Sequence, residues 1–252
     1  MPRAGRHRPA SGHDRREPAV KIGILGTGRM GVRLAAMYAR AGHDVVLGSR
    51  DAARARGIAS GLDLPGLTAG DYDQALDAPV VLPAIFLRDG LLTLLEPLRA
   101  TLAGKILIDI TNPFNADYSD FITPWDTSGA ERIAEALPDT RVVGAFKNVW
   151  WEVFDAPDFG GLVSDVYVVS DDEEAKRRVI GLGAGTPFRY VDAGRLANAR
   201  TVERMTLLSG ELGTRLGYFP RMNYTLLGER WRPGQADDTV GALIARPGGA
   251  AG

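Results

Sequence analysis

The stretch Ile22-Gly23-Ile24-Leu25-Gly26-Thr27-Gly28-Arg29-Met30-Gly31 decides how the rest of the chain is read. A short apolar run enters it, and residues with a helical period leave it. Between them lies G-x-G-x-x-G, in which each glycine has its own task. Gly26 permits a tight turn, Gly28 lets a pyrophosphate approach the main chain, and Gly31 lets helix and strand pack closely. The N–H groups opening the next helix are unpaired, and the dipole end there favours an anion. Glycine is common in this chain, so the strand before and the helix after give the pattern its weight.

Working outward, strands are expected at 19–25, 43–47, 67–68, 80–82, 105–110, 141–145, 166–169 and 188–191. Helices are expected at 30–41, 51–60, from Asp71, and at 87–95, 130–137, 172–182 and 196–216. Alternation of this kind predicts an α/β fold, a Rossmann-type doubly wound, mostly parallel sheet with a C-terminal helical extension. One continuous dinucleotide-binding domain is expected over 19–230. Residues 1–18, "MPRAGRHRPASGHDRREP", are polar and basic and read as a solvated tail. Residues 231–252 are rich in Gly, Pro and Ala and read as a loosely ordered one.

Composition narrows the chemistry. The 252 residues carry a formal net charge of −1 and contain no cysteine. The balance of charge does not suggest a nucleic-acid or membrane surface. The missing thiol removes disulfides, thiolate zinc sites and a cysteine nucleophile. The three histidines, His7, His13 and His43, form no ligand cluster, and no apolar run has the length of a membrane span. A cytoplasmic protein acting on a small molecule is the resulting expectation.

The second strand ends in Val45-Val46-Leu47-Gly48-Ser49-Arg50, where dinucleotide-binding folds commonly place a carboxylate for the adenosine ribose. A hydroxyl and a guanidinium donate where a carboxylate accepts, and so they suit a 2′-phosphate. Arg54 lies one turn further along the next helix. Asp51 is read as that helix's cap, its carboxylate turned to its own backbone. The expected cofactor is NADP(H), not NAD(H).

With these residues in view, the chain resembles the deazaflavin coenzyme F420:NADP oxidoreductase family. The resemblance rests on "IGILGTGRMG" (22–31), "GSR" with Arg54, "ILIDITNPF" (106–114), "VVGAFKNV" (142–149) and the segment 166–203. It implies NADPH held by Gly26, Thr27, Gly28, Met30 and Gly31, with Ser49, Arg50 and Arg54 at the 2′-phosphate; Arg29, within the same turn, is a further candidate for cofactor binding. It also implies that Pro83, Ala84 and Ile85 lie along the dinucleotide near the nicotinamide, with Ala145 opening the family's "AFN" segment. Two departures fall on the substrate side: Lys147 replaces the Asn of "AFN", and Ala84 stands where relatives often carry Trp. They bear on the deazaflavin as acceptor and leave NADPH binding untouched.

Ligands of such sheets sit beyond the carboxyl ends of the strands. Asn112 is there a candidate to bond the carboxamide or a ribose, and it is also a plain turn residue before Pro113. Lys147 and Asn148 are the candidate catalytic groups. Lys147 would polarise a carbonyl or protonate an imine product; the alternative is a surface lysine. The run "FKNVWWEVF" (146–154) is either an aromatic wall for a flat acceptor or a core or dimer seam. The segment 115–130 is a lid candidate. The G-x-x-x-K-x-x-x-N helix of β-hydroxyacid dehydrogenases is absent. Two functions follow: an oxidoreductase passing hydride between NADP(H) and a deazaflavin, a flavin or a small C=N or C=C compound, or a non-catalytic NADP(H)-sensing protein. A homodimer is compatible with both.

Overall fold

The computed structural model describes residues 18–228. Both expected tails, apart from Pro18, lie outside the described residues. The elements follow in the order β1 (Lys21–Leu25), α1 (Arg29–Arg40), β2 (Asp44–Gly48), α2 (Ala52–Leu62), β3 (Leu67–Gly70), α3 (Tyr72–Leu76) and β4 (Val80–Pro83). After these come α4 (Leu91–Leu95), α5 (Arg99–Leu102), β5 (Ile106–Asp109), α6 (Gly129–Ala136) and β6 (Arg141–Gly144). The chain then adds β7 (Asp158–Phe159), β8 (Leu162–Val163), β9 (Asp165–Val168), α7 (Glu173–Gly181), β10 (Arg189–Asp192) and α8 (Ala199–Leu216).

Six strands form one parallel sheet in the order β3-β2-β1-β4-β5-β6. Apart from the edge strand β3, their apolar runs are buried on both faces, as a parallel sheet between helices requires. Ile22, Ile24, Leu34 and Val143 belong to the core on one face; Leu25, Val81, Leu107 and Ile133 belong to the core on the other. Gly23 has no room for a side chain, since a Cβ there would stand 1.8 Å from the Ala75 carbonyl oxygen. The connection through α3 therefore presses directly on β1.

Three expectations change. The Leu-rich helix over 87–95 is broken, because Gly90 takes a left-handed φ of 88° and separates a 3-10 turn from α4. The strands expected at 166–169 and 188–191 do not extend the main sheet. They pair with each other as β9 and β10 and touch β6 through one antiparallel bridge, Gly144 to Val169. The hairpin β7–β8 was not foreseen; its strands are two residues each, too short for a period to register. The long C-terminal helix holds, and α8 packs back on α6.

Candidate active site

A cleft of about 1660 Å³ runs along the carboxyl ends of the main sheet. At one end is the glycine turn. Gly26 has φ 119°, which a side chain would resist. A Cβ on Gly31 would lie 2.0 Å from the Gly26 carbonyl oxygen, so only hydrogen fits where α1 meets the turn. A Cβ on Gly28 would meet nothing within 4 Å. Gly28 caps α1 with no side-chain hydrogen bond, leaving the first N–H groups of the helix open to that space. Open room over unpaired donors is what a pyrophosphate needs.

Beside the turn, Ser49 is buried and its Oγ accepts from the Asp51 N–H at 3.1 Å, which leaves its proton to donate. Asp51 Oδ1 accepts from the Arg54 N–H at 3.0 Å, so the carboxylate is spent on its own helix, as the sequence implied. Arg54 Nε donates to Thr27 Oγ1 at 3.2 Å and folds back over the glycine turn. Tyr72 joins them; burial raises its phenol pKa, and the Arg50 guanidinium beside it pulls the other way. Thr27, Ser49, Arg50, Arg54 and Tyr72 all line the cleft. Two guanidiniums and a free hydroxyl at one mouth fit a 2′-phosphate, and no carboxylate among these residues opposes it.

Further along, Ala84, Ile85, Thr111 and Asn112 form the floor. Pro83 is buried at the end of β4, and Ala145 is buried beside Phe146, which reaches the cleft in its place. Asn112 Nδ2 donates to the Lys147 carbonyl at 2.7 Å, while its Oδ1 is buried without a partner.

Lys147 is neither of the things expected of it. It is not a surface lysine, because its side chain is 0% exposed. It is not free to meet a substrate either, because Nζ donates to Asp109 Oδ2 at 2.6 Å, Glu203 Oε1 at 2.8 Å and the Thr111 carbonyl at 2.6 Å. An ammonium has three donors, and all are taken. Burial disfavours the charged form, but the charges of Asp109 and Glu203 outweigh it and hold the Lys147 pKa above its ordinary value. Glu203 also accepts from the Gly129 and Ala130 N–H groups at 3.0 and 3.2 Å, tying α8 to the start of α6. Asn148 is likewise structural: it donates to the Asp165 carbonyl at 2.8 Å and accepts from the Tyr167 N–H at 3.2 Å. Neither side chain lines the cleft, and the expected catalytic roles have no support in this geometry.

The aromatic run divides. Val153 is buried and Phe154 packs on Phe188, whereas Trp150 and Trp151 line the cleft. Phe219 meets both indoles, with ring centroids 5.0 and 5.5 Å away. The lid candidate supplies the facing wall through Tyr118, Ser119, Asp120 and Trp125. It is tethered by Arg88, whose guanidinium lies 4.5 Å from the Phe86 ring and 4.2 Å from the Tyr118 ring and donates to the Asn115 carbonyl at 2.5 Å. Arg204 stacks 3.6 Å from the Trp125 ring. Tyr72, Arg88, Arg204 and Phe219 were not singled out from the sequence. Each is an ordinary residue locally and gains its place only through contacts far along the chain. Among the described residues no group of His, Asp or Glu is placed to hold a metal, and no helix is long and apolar enough to cross a membrane.

Residues 21–113 match the family model described as NADP oxidoreductase, coenzyme F420-dependent. The F420-dependent NADP reductase of Methanothermobacter marburgensis is 34% identical over 205 residues, spanning 75% of this chain and 90% of that protein. The metalloreductase STEAP3 of Rattus norvegicus is 32% identical over 191 residues, spanning 75% of this chain but 37% of that protein. A crystal structure of a candidate F420-dependent NADP reductase from Arthrobacter sp. FB24 superposes with a TM-score of 0.70 at 26% identity, over 83% of this chain and 100% of that one.

Proposed function

The chain belongs to the family of coenzyme F420-dependent NADP oxidoreductases, and on that premise we propose that it passes hydride between NADP(H) and the deazaflavin coenzyme F420. The observation that carries this reading is one continuous cleft. It begins at a glycine turn flanked by Ser49, Arg50 and Arg54 and ends at a wall of Trp150, Trp151 and Phe219. NADPH, when bound, supplies the hydride. The chain's own residues do the rest. The glycine turn and the start of α1 hold the pyrophosphate. Ser49, Arg50 and Arg54 hold the 2′-phosphate. The indoles and Phe219 pack edge to face at interplanar angles of 72°, 76° and 82° and make an aromatic wall against which one ring of a tricyclic acceptor stacks, and the tethered loop opposite them excludes water. Catalysis by positioning requires no acid or base at the reacting carbon, which agrees with the placement of Lys147.

Steady NADPH oxidation tests the proposal with F420, free flavins and cyclic imines as alternative acceptors. Turnover with F420 well above the others supports it. Turnover only with another acceptor, or binding of NADPH with no acceptor reduced, overturns it; the second result would return the sensing role. The wall makes a narrower prediction. Stacking of a flat ring on an aromatic side chain is worth about 1–3 kcal/mol. Trp151→Ala should therefore raise KM for the acceptor about tenfold or more while leaving the NADPH dissociation constant near that of the parent. An unchanged acceptor KM would move the ring to another part of the cleft.

A further inference from the structure

Asn112 is the one cleft residue among those described whose side chain holds a buried atom in want of a partner. Its orientation is fixed. The Lys147 carbonyl accepts from the Asn112 amide nitrogen at 2.7 Å, so the nitrogen is assigned by its partner and the oxygen must be Oδ1. That carbonyl is itself held in place. Phe146 takes φ 57°, a left-handed conformation that is costly for a side-chain-bearing residue. The turn sends the Phe146 ring among Tyr38, Phe154 and Tyr190, and the next residue to the Asp109–Glu203 pair. Thr206 on α8 donates to the same carbonyl. The outcome is an amide with one buried, unpaired acceptor on a residue that lines the cleft, and it cannot turn to offer a donor.

We propose that Asn112 Oδ1 accepts a hydrogen bond from the carboxamide N–H of the nicotinamide, and that it thereby selects the amide-bearing cofactor and fixes the rotation of its ring. The inference rests on the NADP(H) reading and deepens it. Three features favour the carboxamide over a ribose hydroxyl. Asn112 lies at the end of β5, separated from β2 and its phosphate-binding residues by β1 and β4. At about 4.8 Å per strand, that places it about 14 Å across the sheet from Ser49, toward the end of an extended dinucleotide. It also shares the cleft with Ile110, Val149 and Trp150, apolar surfaces that suit a nicotinamide ring, while the wall near the glycine turn is polar. Finally, an acceptor that cannot rotate suits an obligate N–H donor, whereas a hydroxyl would be satisfied by either end of an amide.

The test uses the 3-acetylpyridine analogue of NADP, in which a methyl replaces the amide NH₂ at nearly the same size. Binding to the full chain is measured by calorimetry with NADP and with the analogue. The parent should bind NADP about tenfold more tightly, the effect expected when one buried acceptor is left unpaired. Asn112→Ala should bind the two alike, at about the parent's affinity for the analogue. Thr206 still holds the Lys147 carbonyl in that variant, and an unchanged thermal midpoint would show that the fold is intact. Equal affinities in the parent would overturn the proposal whether or not the variant folds. So would a parent preference that survives in Asn112→Ala. If both ligands weaken equally in the variant, the oxygen serves a ribose hydroxyl and the proposal fails, while the NADP(H) reading stands. A parent that binds neither ligand would overturn that reading as well.

Discussion

Lys147→Met should lower folding stability by about 3–5 kcal/mol at neutral pH, the scale found when one member of a buried ionic cluster is removed. The reason lies in what remains. Asp109 is 0% exposed and Glu203 1%, and without the ammonium the two carboxylates share a dry site with no cation. The loss should depend on pH. Burial already holds the Glu203 pKa above its ordinary value of 4.5, and the Lys147 charge is the main influence restraining it. Once that charge is gone, the folded-state pKa rises further above the unfolded one. A carboxyl in that condition favours the fold fully below its unfolded pKa and loses the advantage as pH rises through the folded value. The gap in thermal midpoint between parent and variant should therefore be small at acid pH, below the ordinary carboxyl range, and widen as pH rises through the raised Glu203 pKa. A variant as stable as the parent, or a gap that does not change with pH, would remove the ionic cluster from the account of the fold.

The second large effect concerns cofactor choice. Hydrogen bonds with one ionised partner are worth about 1.5–3 kcal/mol. Arg50→Ala should therefore weaken NADPH binding by about ten- to a hundredfold and leave NADH, which lacks the 2′-phosphate, nearly unaffected. Arg54→Ala should act less strongly, because Thr27 already occupies one of its donors at 3.2 Å. Ser49→Asp should go furthest. It places a carboxylate within a buried site, removes a donor and repels the phosphate, so the preference for NADPH should shrink or invert. Titration of each variant with both cofactors by nicotinamide fluorescence decides the matter. Parallel loss of both cofactors in Arg50→Ala would mean that Arg50 supports the fold of the mouth and does not read the phosphate.

The end of this cleft proposed to take the nucleotide was legible in the sequence as local structure, because its determinants are local. Gly26, Gly28 and Gly31 act through backbone conformation and close approach, and Ser49, Asp51, Arg50 and Arg54 stand within six positions of one another around a single strand end. Even the role of Asp51 as a cap followed from its place before a helix. The substrate end was not legible in the same way. Nothing near Lys147 announces Asp109, 38 positions earlier, or Glu203, 56 positions later; a lysine amid aromatics looks reactive until its partners are seen. The same holds for Phe219 and Arg204, which reach the cleft only because α8 folds back on the sheet. The break at Gly90 was a matter of weighing: leucine periodicity argued for one helix, and a single glycine in a left-handed conformation argued successfully against it.

The Lys147 main-chain carbonyl has one further consequence. A carbonyl oxygen has two acceptor sites, and here Asn112 approaches from the sheet side and Thr206 from α8. Both lone pairs are occupied, so this carbonyl keeps no acceptor for water where the two layers meet. A helix joined to a sheet through a saturated carbonyl does not peel away until both hydrogen bonds are broken. The middle of α8 should open together with β5 and β6, and its amides near Thr206 should exchange with deuterium as slowly as those of the central strands, while the turns near Leu216 exchange fast. The C-terminal helix is in that sense a member of the sheet's cooperative unit, although it shares no strand pairing with it.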